Sequence, residues 1–266
     1  MTKLTRRTFG VATGALMLAM LAGSTVPASA QTLDSVKQAG KIRVGMLVDV
    51  PPFGLMSTTG QPEGFDADIA AMLAEYLGVE LELVPVTGPN RIPYLLTGQV
   101  DVLAAALGIT EERSKQIQFS QPYSGLGAII LAPVDMEVSS FDDLADRSVG
   151  LPRGGSQDPV VTSSALPSTQ IQRYDDDAGA VQALLSNQVD SLAVATVLVP
   201  QIEQMAPGRY DTKFLLYSQV QGIGMRPGEA DLLEQVDAFI AQARAEGKLE
   251  ELYEKWPGTR PADQQD

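Results

Sequence analysis

The sequence predicts an α/β protein of two lobes with a cleft between them. Two observations carry this prediction: a strand–helix–strand rhythm runs from Arg43 to Ile109, and the same rhythm begins again at Phe141 and continues to Val199. Alternating β and α segments are the mark of a largely parallel sheet covered by helices. Two such units with separate cores leave an interface between them, and small-molecule sites favour such interfaces.

Each element has its own signal. In KIRVGMLVDVPPF, Arg43 to Val48 is mostly apolar with β-branched members and reads as a strand, which Pro51-Pro52 stop. After the polar turn STTGQPEG, Ile69, Met72, Leu73, Tyr76 and Leu77 fall at i, i+3, i+4, i+7 and i+8, one face of an amphipathic helix that Gly78 is placed to end. VELELVPV alternates as the next strand. NRIPYLLTGQV predicts a short helix stopped by Thr97-Gly98, and DVLAAALGI, nearly all apolar, predicts a strand buried on both faces.

In the second unit, Ser140 precedes a short helix with Asp142 and Asp143 in its first turn. SVGL and IQRYDD read as strands, AVQALLSNQVD as a helix with Val181, Leu184 and Leu185 on one face, and SLAVATVLV as a further buried strand. A last strand around QGIGM leads to a long helix from about Ala230 to Glu246, striped by Leu232, Leu233, Val236, Phe239 and Ile240. Gly247 interrupts it, LEELYEKW adds a final amphipathic turn or two, and the polar tail GTRPADQQD predicts fraying. Periodicity leaves open which lobe these closing elements join.

The first thirty residues read as an address. A basic n-region, MTKLTRRTFG, precedes an apolar and small-residue stretch, and PASA ends in a small-x-small pattern that puts cleavage after Ala30. Thr5-Arg6-Arg7-Thr8-Phe9 has the shape of a twin-arginine export signal, so residues 1–30 are expected to be a signal peptide of that type. The apolar stretch is short and broken by glycine, a poor permanent span, and no cysteine near the cleavage site offers a lipid anchor. A periplasmic protein with no stable membrane insertion is the expectation.

Composition excludes several chemistries. With 33 acidic against 19 basic residues the net charge is −14, and the leader's charges are all basic, so its removal makes the protein more acidic still. That sign disfavours nucleic acid and anionic membrane surfaces. The chain has no cysteine and no histidine, which removes disulfides, thiolate metal sites, cysteine nucleophiles, serine–histidine triads and histidine-based zinc centres. No cofactor, metal site or catalytic residue is signalled.

The motifs GKIRVGMLVDVPPF, EGFDADIAAMLAEYLGV, RIPYLLTGQVDV, LGITEERSKQIQFSQPY, SVGLPRGGSQ and GKLEELYEKWPG, in this order from Gln38 to Gly258, resemble the periplasmic solute-binding proteins of polar amino-acid ABC importers, extracellular solute-binding protein family 3. The resemblance implies a type II periplasmic binding protein fold: an α/β protein of two lobes, a ligand cleft, and two hinge strands. It places lobe 1 at 31–126 and 219–266 and lobe 2 at 127–218, with crossings near Gly125 to Ile130 and Leu215 to Gly222. It further implies a monomer that traps a small carboxylate-bearing ligand, an amino acid or a similar compound, by hinge closure, and that meets an ABC permease in the inner membrane.

The implied pocket begins with Arg113, at the family position that forks onto the ligand α-carboxylate. A guanidinium offers two coplanar donors that match a carboxylate. Gly108 and Thr110 precede it: the family usually has a hydroxyl at Gly108, and Thr110 suits either a ligand contact or a helix cap. From lobe 2, Gly155 and Ser156 form a glycine-rich anion nest, and Gln157 offers an amide oxygen. Amino-acid binders carry an acid where this chain has Ala195, so either another group supplies the anion for a ligand ammonium or the ligand lacks a standard α-amino group. Asp190 reads as a loop residue. Leu47, Val50 and Gly88 stand where relatives often place an acid, an aromatic and a stacked ring, so an apolar and roomy side pocket is expected, without an anion for a lysine or arginine ligand. Arg91 suits a second carboxylate contact or a rim charge, while Asp49, Asp66 and Asp68 read as turn, cap and surface groups. Two other readings of this scaffold are a cyclohexadienyl dehydratase-like enzyme, for which no acid stands at an obviously apolar cleft position, and a ligand-sensing module, to which a chain ending in a short polar tail is less suited.

Overall fold

The structure, a computed structural model, describes residues 32–262. The expected leader and its cleavage after Ala30 lie outside the described residues.

The first half runs α1 (Thr32–Ala39), β1 (Lys41–Leu47), β2 (Asp49–Val50), β3 (Gly54–Met56), β4 (Pro62–Glu63), α2 (Phe65–Leu77), β5 (Glu80–Val86), α3 (Arg91–Leu96), β6 (Val102–Leu103), α4 (Glu111–Ser114), β7 (Gln118–Phe119) and the long β8 (Ser124–Pro133). Then follow β9 (Ser148–Pro152), α5 (Gln157–Ser164), β10 (Gln170–Tyr174), α6 (Asp177–Leu185), β11 (Ser191–Ala195), α7 (Val199–Met205), β12 (Tyr210–Gln221), β13 (Gly224–Met225), α8 (Ala230–Ala245) and α9 (Lys248–Lys255). Two five-stranded sheets result, ordered β5-β1-β6-β13-β7 and β10-β9-β11-β8-β12.

In the first sheet β1 runs parallel to β5, from Lys41 opposite Glu80 to Leu47 opposite Val86, and parallel to β6 on its other side. Helix α2 covers one face with Phe65, Ile69, Leu73 and Leu77 buried, each such apolar side chain contributing about 1.5–3 kcal/mol. Met72 and Tyr76 lie at the edge of that stripe, and Tyr76 reaches Phe239 of α8 at 5.8 Å between ring centroids. Gly78 ends the helix in the left-handed conformation, its N–H donating to the Glu75 carbonyl. The closing elements belong to this lobe: β13 inserts between β6 and β7, and α8 packs on α2.

The second sheet is sandwiched by two apolar clusters, Ile130, Leu144, Val149, Leu151 and Val161 on one side and Ile129, Leu184, Val194, Leu198 and Ile202 on the other. Strands β8 and β12 pair antiparallel along their whole length, Ser124 opposite Gln221 at one end and Pro133 opposite Tyr210 at the other. Their first-sheet ends are held by a bridge between Gly108 and Gln221, by Ile109 N–H donating to the Val220 carbonyl, and by the buried Ser124–Gln221 side-chain hydrogen bond of 2.6 Å. These two strands are the crossing between lobes.

Three segments differ from their sequence reading. In DVLAAALGI only Val102–Leu103 is strand; Ala104 to Leu107 stay buried, but the chain turns out of the sheet, Ala106 taking a φ of 44°. The Ala106 N–H finds a carboxylate oxygen of Asp66 at 2.7 Å in place of a ladder partner. In SLAVATVLV the strand ends at Ala195, Thr196–Leu198 form a 3-10 turn, and Pro200 suits the start of α7. The tail is not frayed as far as Pro261: Thr259 is fully buried, its carbonyl accepts from Gly125 N–H at 3.0 Å, and Arg260 lies over the Tyr253 ring.

Candidate functional site

The site is built where the first sheet ends against the second lobe. Thr110 caps the single turn α4, its hydroxyl oxygen accepting from Arg113 N–H at 3.2 Å, so of its two expected roles it performs the cap. The Arg113 side chain turns back to donate from Nη1 to the Gly108 carbonyl at 3.0 Å and from Nη2 across the cleft to the Gly154 carbonyl at 2.9 Å. Arg91, the first residue of α3, repeats the pattern: Nη1 donates to the Ala105 carbonyl at 2.7 Å and Nη2 to the same Gly154 carbonyl at 2.9 Å. At 4% exposure Arg91 is not a rim charge but a second buried guanidinium beside Arg113, itself 8% exposed.

The backbone that aims them is set by Asp66. Its two oxygens accept from Ala106 N–H at 2.7 Å and Tyr123 hydroxyl at 2.6 Å, fixing the left-handed turn that points the carbonyls of Ala105 and Gly108 at the two arginines. Asp66 is therefore a buried structural acid that holds a turn and a tyrosine rather than the helix cap its position suggested, and burial raises its pKa to about 6. Asp68 is the surface partner of Lys255 and Trp256, and Asp190 holds the Ser148 hydroxyl and N–H, both as read from the sequence.

Burial, then the neighbouring Arg113, lowers the Arg91 pKa to about 9, and burial lowers that of Arg113. Two desolvated like charges are an unfavourable pair that an anion between them relieves. The start of α5 lies across from them, and the first N–H groups of a helix have no intrahelical acceptor. Gly155, Ser156 and Gln157 occupy this start. Hydrogen-bond donors from both lobes thus converge on one side of the cleft.

Two glycines let the lobes meet. A Cβ on Gly88 would stand 2.4 Å from the Arg153 carbonyl oxygen, and one on Gly154 would stand 2.6 Å from the Gly88 backbone. The space expected above Gly88 is thus filled by the other lobe. Gly108 is explained in the same way: a Cβ there would overlap the Gln219 side-chain amide at 2.1 Å, and that amide donates to the Ser156 hydroxyl at 3.0 Å. Gln219, unremarked in the sequence, fills the place of the missing hydroxyl and ties the hinge to lobe 2.

Behind the arginines lies a cavity of about 40 Å³ lined by Leu47, Val50, Gln157, Asp177, Ala195 and Tyr217, with Arg91 at its edge. The roomy side pocket expected from Leu47, Val50 and Gly88 is absent at Leu47 and Val50, where the lobes close on it, and Gly88 lies on a separate space. A larger space of about 630 Å³ lies outside the arginines, against Gly88, Pro89, Glu112, Arg113, Ser156 and Asp158. The Tyr217 hydroxyl donates to the Gln157 amide oxygen at 3.3 Å, and burial pushes its pKa to about 12. Asp49, read as a turn residue, reaches over the cleft: its carboxylate accepts from Asp177 N–H at 2.9 Å and so caps a helix of the other lobe. Burial, then Asp49, raises the Asp177 pKa to about 7, opposed by Arg91. Asp177, Tyr217 and Gln219 escaped the sequence reading; the vacant acid at Ala195 and hydroxyl at Gly108 were the available signals that substitutes exist.

Comparison with known proteins agrees with this architecture. Residues 42–259 match the bacterial extracellular solute-binding proteins, family 3. The chain is 29% identical over 250 residues to the L-cystine-binding protein TcyJ of Escherichia coli (strain K12), covering 92% of this chain and 94% of that one. It is 30% identical to the ABC transporter glutamine-binding protein GlnH of Bacillus subtilis (strain 168), covering 87% and 86%. Among solved structures, a mutant of ArgBP from T. maritima superposes with a TM-score of 0.79 at 31% identity, covering 85% of this chain and 98% of that one. An ancestral amino acid-binding protein described as a precursor of cyclohexadienyl dehydratase gives 0.78 at 32% identity, covering 85% and 99%. These relatives are substrate-binding proteins, not enzymes. The chain belongs to the bacterial extracellular solute-binding proteins, family 3, and has their two-lobed α/β fold.

Proposed function

We propose that this protein is the extracytoplasmic binding component of an ABC importer and captures a small carboxylate-bearing ligand, an amino acid or a close analogue, by closure of its two lobes. The observation that carries the reading is the convergence of Arg91 and Arg113 from lobe 1 with the Gly154 carbonyl and the start of α5 from lobe 2. A ligand carboxylate has what the Gly154 carbonyl lacks, a full negative charge and two oxygens for two forks. It rewards the closed arrangement over the open one, and only that differential drives closure.

The relatives support the ligand class, since cystine and glutamine, named for two of them, share an α-carboxylate and differ beyond it. In this reading the leader delivers the protein to the periplasm by the twin-arginine route, residues 31–126 and 219–266 form lobe 1 and residues 127–218 lobe 2, and the closed monomer docks on its permease. Arg113, the Gly155–Gln157 turn and the Leu47, Val50 and Ala195 wall hold the ligand, with Thr110, Gly108 and Gly88 shaping the seat. A thermal-shift screen of amino acids, keto acids and aromatic acids, repeated on Arg113→Ala, tests it. Stabilisation of the wild type by at least one carboxylate, lost in the variant, is the expected result. No response in the wild type, or an equal response in both, overturns it.

A further inference from the structure

We propose that Asp177 of α6 is the anion that receives the ligand's ammonium group, so that the ligand is an aminocarboxylate rather than a keto, hydroxy or simple aromatic acid. The inference rests on the binding function above and names the other end of its ligand.

Three observations converge on Asp177. It lines the small inner cavity together with Ala195, whose methyl group has nothing to offer a cation. Its backbone is fixed by Asp49 from the opposite lobe, while its carboxylate makes no hydrogen bond among the described residues. The helix cap that an acid at this end of α6 would provide is already supplied by Asp176, which accepts from Gly179 N–H at 2.7 Å, and by Asp49 across the cleft. Asp177 therefore has no side-chain hydrogen bond to give up among the described residues, and it lines a cavity edged by the Arg91 guanidinium, whose charge favours its ionised form. An ammonium has three donors, and the same cavity offers three acceptors: the Asp177 carboxylate, the Gln157 amide oxygen and the Tyr217 hydroxyl oxygen.

Charge balance points the same way. Arg91 and Arg113 are opposed around the cleft by Asp49, Asp177 and Glu112. A zwitterion adds no net charge to this set and pairs each of its ends with an opposite one, its carboxylate with the arginines and its ammonium with Asp177. The amine is named by its chemistry; whether it is the α-ammonium or a terminal side-chain ammonium is decided by the probes below.

The test is calorimetric titration of the full chain with L-glutamine, L-cystine, L-norvaline, L-ornithine and L-lysine, and with the α-hydroxy counterpart of each probe that binds. The expected result is a loss of at least about thirtyfold in affinity on Asp177→Asn for the best amino acid, and partial recovery in Asp177→Asn/Ala195→Asp, where an acid returns to the same cavity. In the wild type, removing the α-amine costs a similar factor if that group is the one held; if it is the terminal amine, ornithine outbinds norvaline by that factor and the advantage disappears in Asp177→Asn. Wild-type protein that binds amine-bearing and amine-free probes within threefold overturns the proposal, and this comparison does not depend on any variant folding. Equal affinity of Asp177→Asn and wild type for the amino acid also overturns it. If carboxylates bind and require Arg113 while Asp177 proves immaterial, the ammonium site alone is wrong; if no carboxylate binds, the function itself is.

Discussion

Arg91 and Arg113 donate to one acceptor, the Gly154 carbonyl of the opposite lobe, each at 2.9 Å, while each also holds a carbonyl of its own lobe. Each fork therefore keeps one tine on the scaffold and points the other at the cleft. Lysine, with a compact ammonium on a flexible stem, cannot hold the Gly108 carbonyl and a ligand oxygen in one plane. Arg113→Ala is expected to weaken binding of a carboxylate ligand by about 2–5 kcal/mol, and Arg113→Lys by most of that amount. Without ligand, the melting temperature of Arg113→Ala should change little, because removal of a buried charge from beside Arg91 offsets the loss of the hydrogen bonds to the Gly108 and Gly154 carbonyls. Calorimetry and unliganded melting curves check the two halves separately; a variant that binds normally refutes the clamp.

Closure depends on two residues without side chains. A Cβ at Gly88 meets the rigid Arg153 carbonyl at 2.4 Å, not the end of a flexible side chain, so Gly88→Ala can be relieved only by holding the lobes apart. Each lobe's own core is untouched, so unliganded stability should change by less than about 0.5 kcal/mol, as for a surface substitution. Ligand affinity should fall, and small-angle scattering at saturating ligand should show a larger radius of gyration than the wild type. Unchanged affinity together with an unchanged radius would show that this contact does not limit closure. Gly154→Ala should be the more severe change, since its φ of 73° adds backbone strain of about 1–2 kcal/mol.

The regular helices were legible because each buries one face with its own period: α2 and α8 lie where their apolar spacing puts them. Arg113 was legible only through the family resemblance, because Glu111, Glu112 and Arg113 by themselves read equally as the charged first turn of a helix. Asp177 was not, because its importance depends on a helix start being carried against Asp49, 128 residues away in the chain and in the other lobe. Gln219 was hidden for the same reason: its amide occupies the space above Gly108 only once the hinge strands have paired. Ala106 misled in the opposite direction. Its apolar neighbours predict a strand, and the Asp66 carboxylate overrides them by offering its N–H a better-placed acceptor.

That acceptor gives a stability prediction. Asp66→Ala leaves the Ala106 N–H and Tyr123 hydroxyl without partners in a buried site, each costing about 1–3 kcal/mol. Chemical denaturation should show a loss in that combined range; a loss below 1 kcal/mol would mean that water or a shifted backbone replaces the carboxylate. Asp66→Asn keeps an oxygen for Ala106 and should lose less. The wild-type pKa of about 6 lies above that of the unfolded chain, so the folded state binds more protons between about pH 4 and 6. Its contribution to stability therefore falls as pH rises through that window, and Asp66→Asn should lack that slope.

Ligand affinity should carry its own pH signature, set by Asp177. The groups facing it are Asp49 from β2, Arg91 from α3, its neighbour Asp176 and Tyr217 from β12. Burial, then Asp49, holds its pKa near 7 against the pull of Arg91, so its protonated and ionised forms coexist around neutral pH. An ammonium prefers the ionised form. Binding below pH 7 must therefore release a proton, and affinity should fall by up to about tenfold for each pH unit below 7 while levelling off above 8. The ligand amine stays protonated throughout this range, so the slope belongs to the protein. Calorimetry at pH 6 in two buffers of different ionisation enthalpy reads the released proton directly. Asp177→Asn should bind weakly and without pH dependence between 5.5 and 8; an equal slope in the variant would assign the titration to Asp49 instead, whose pKa is also raised by burial.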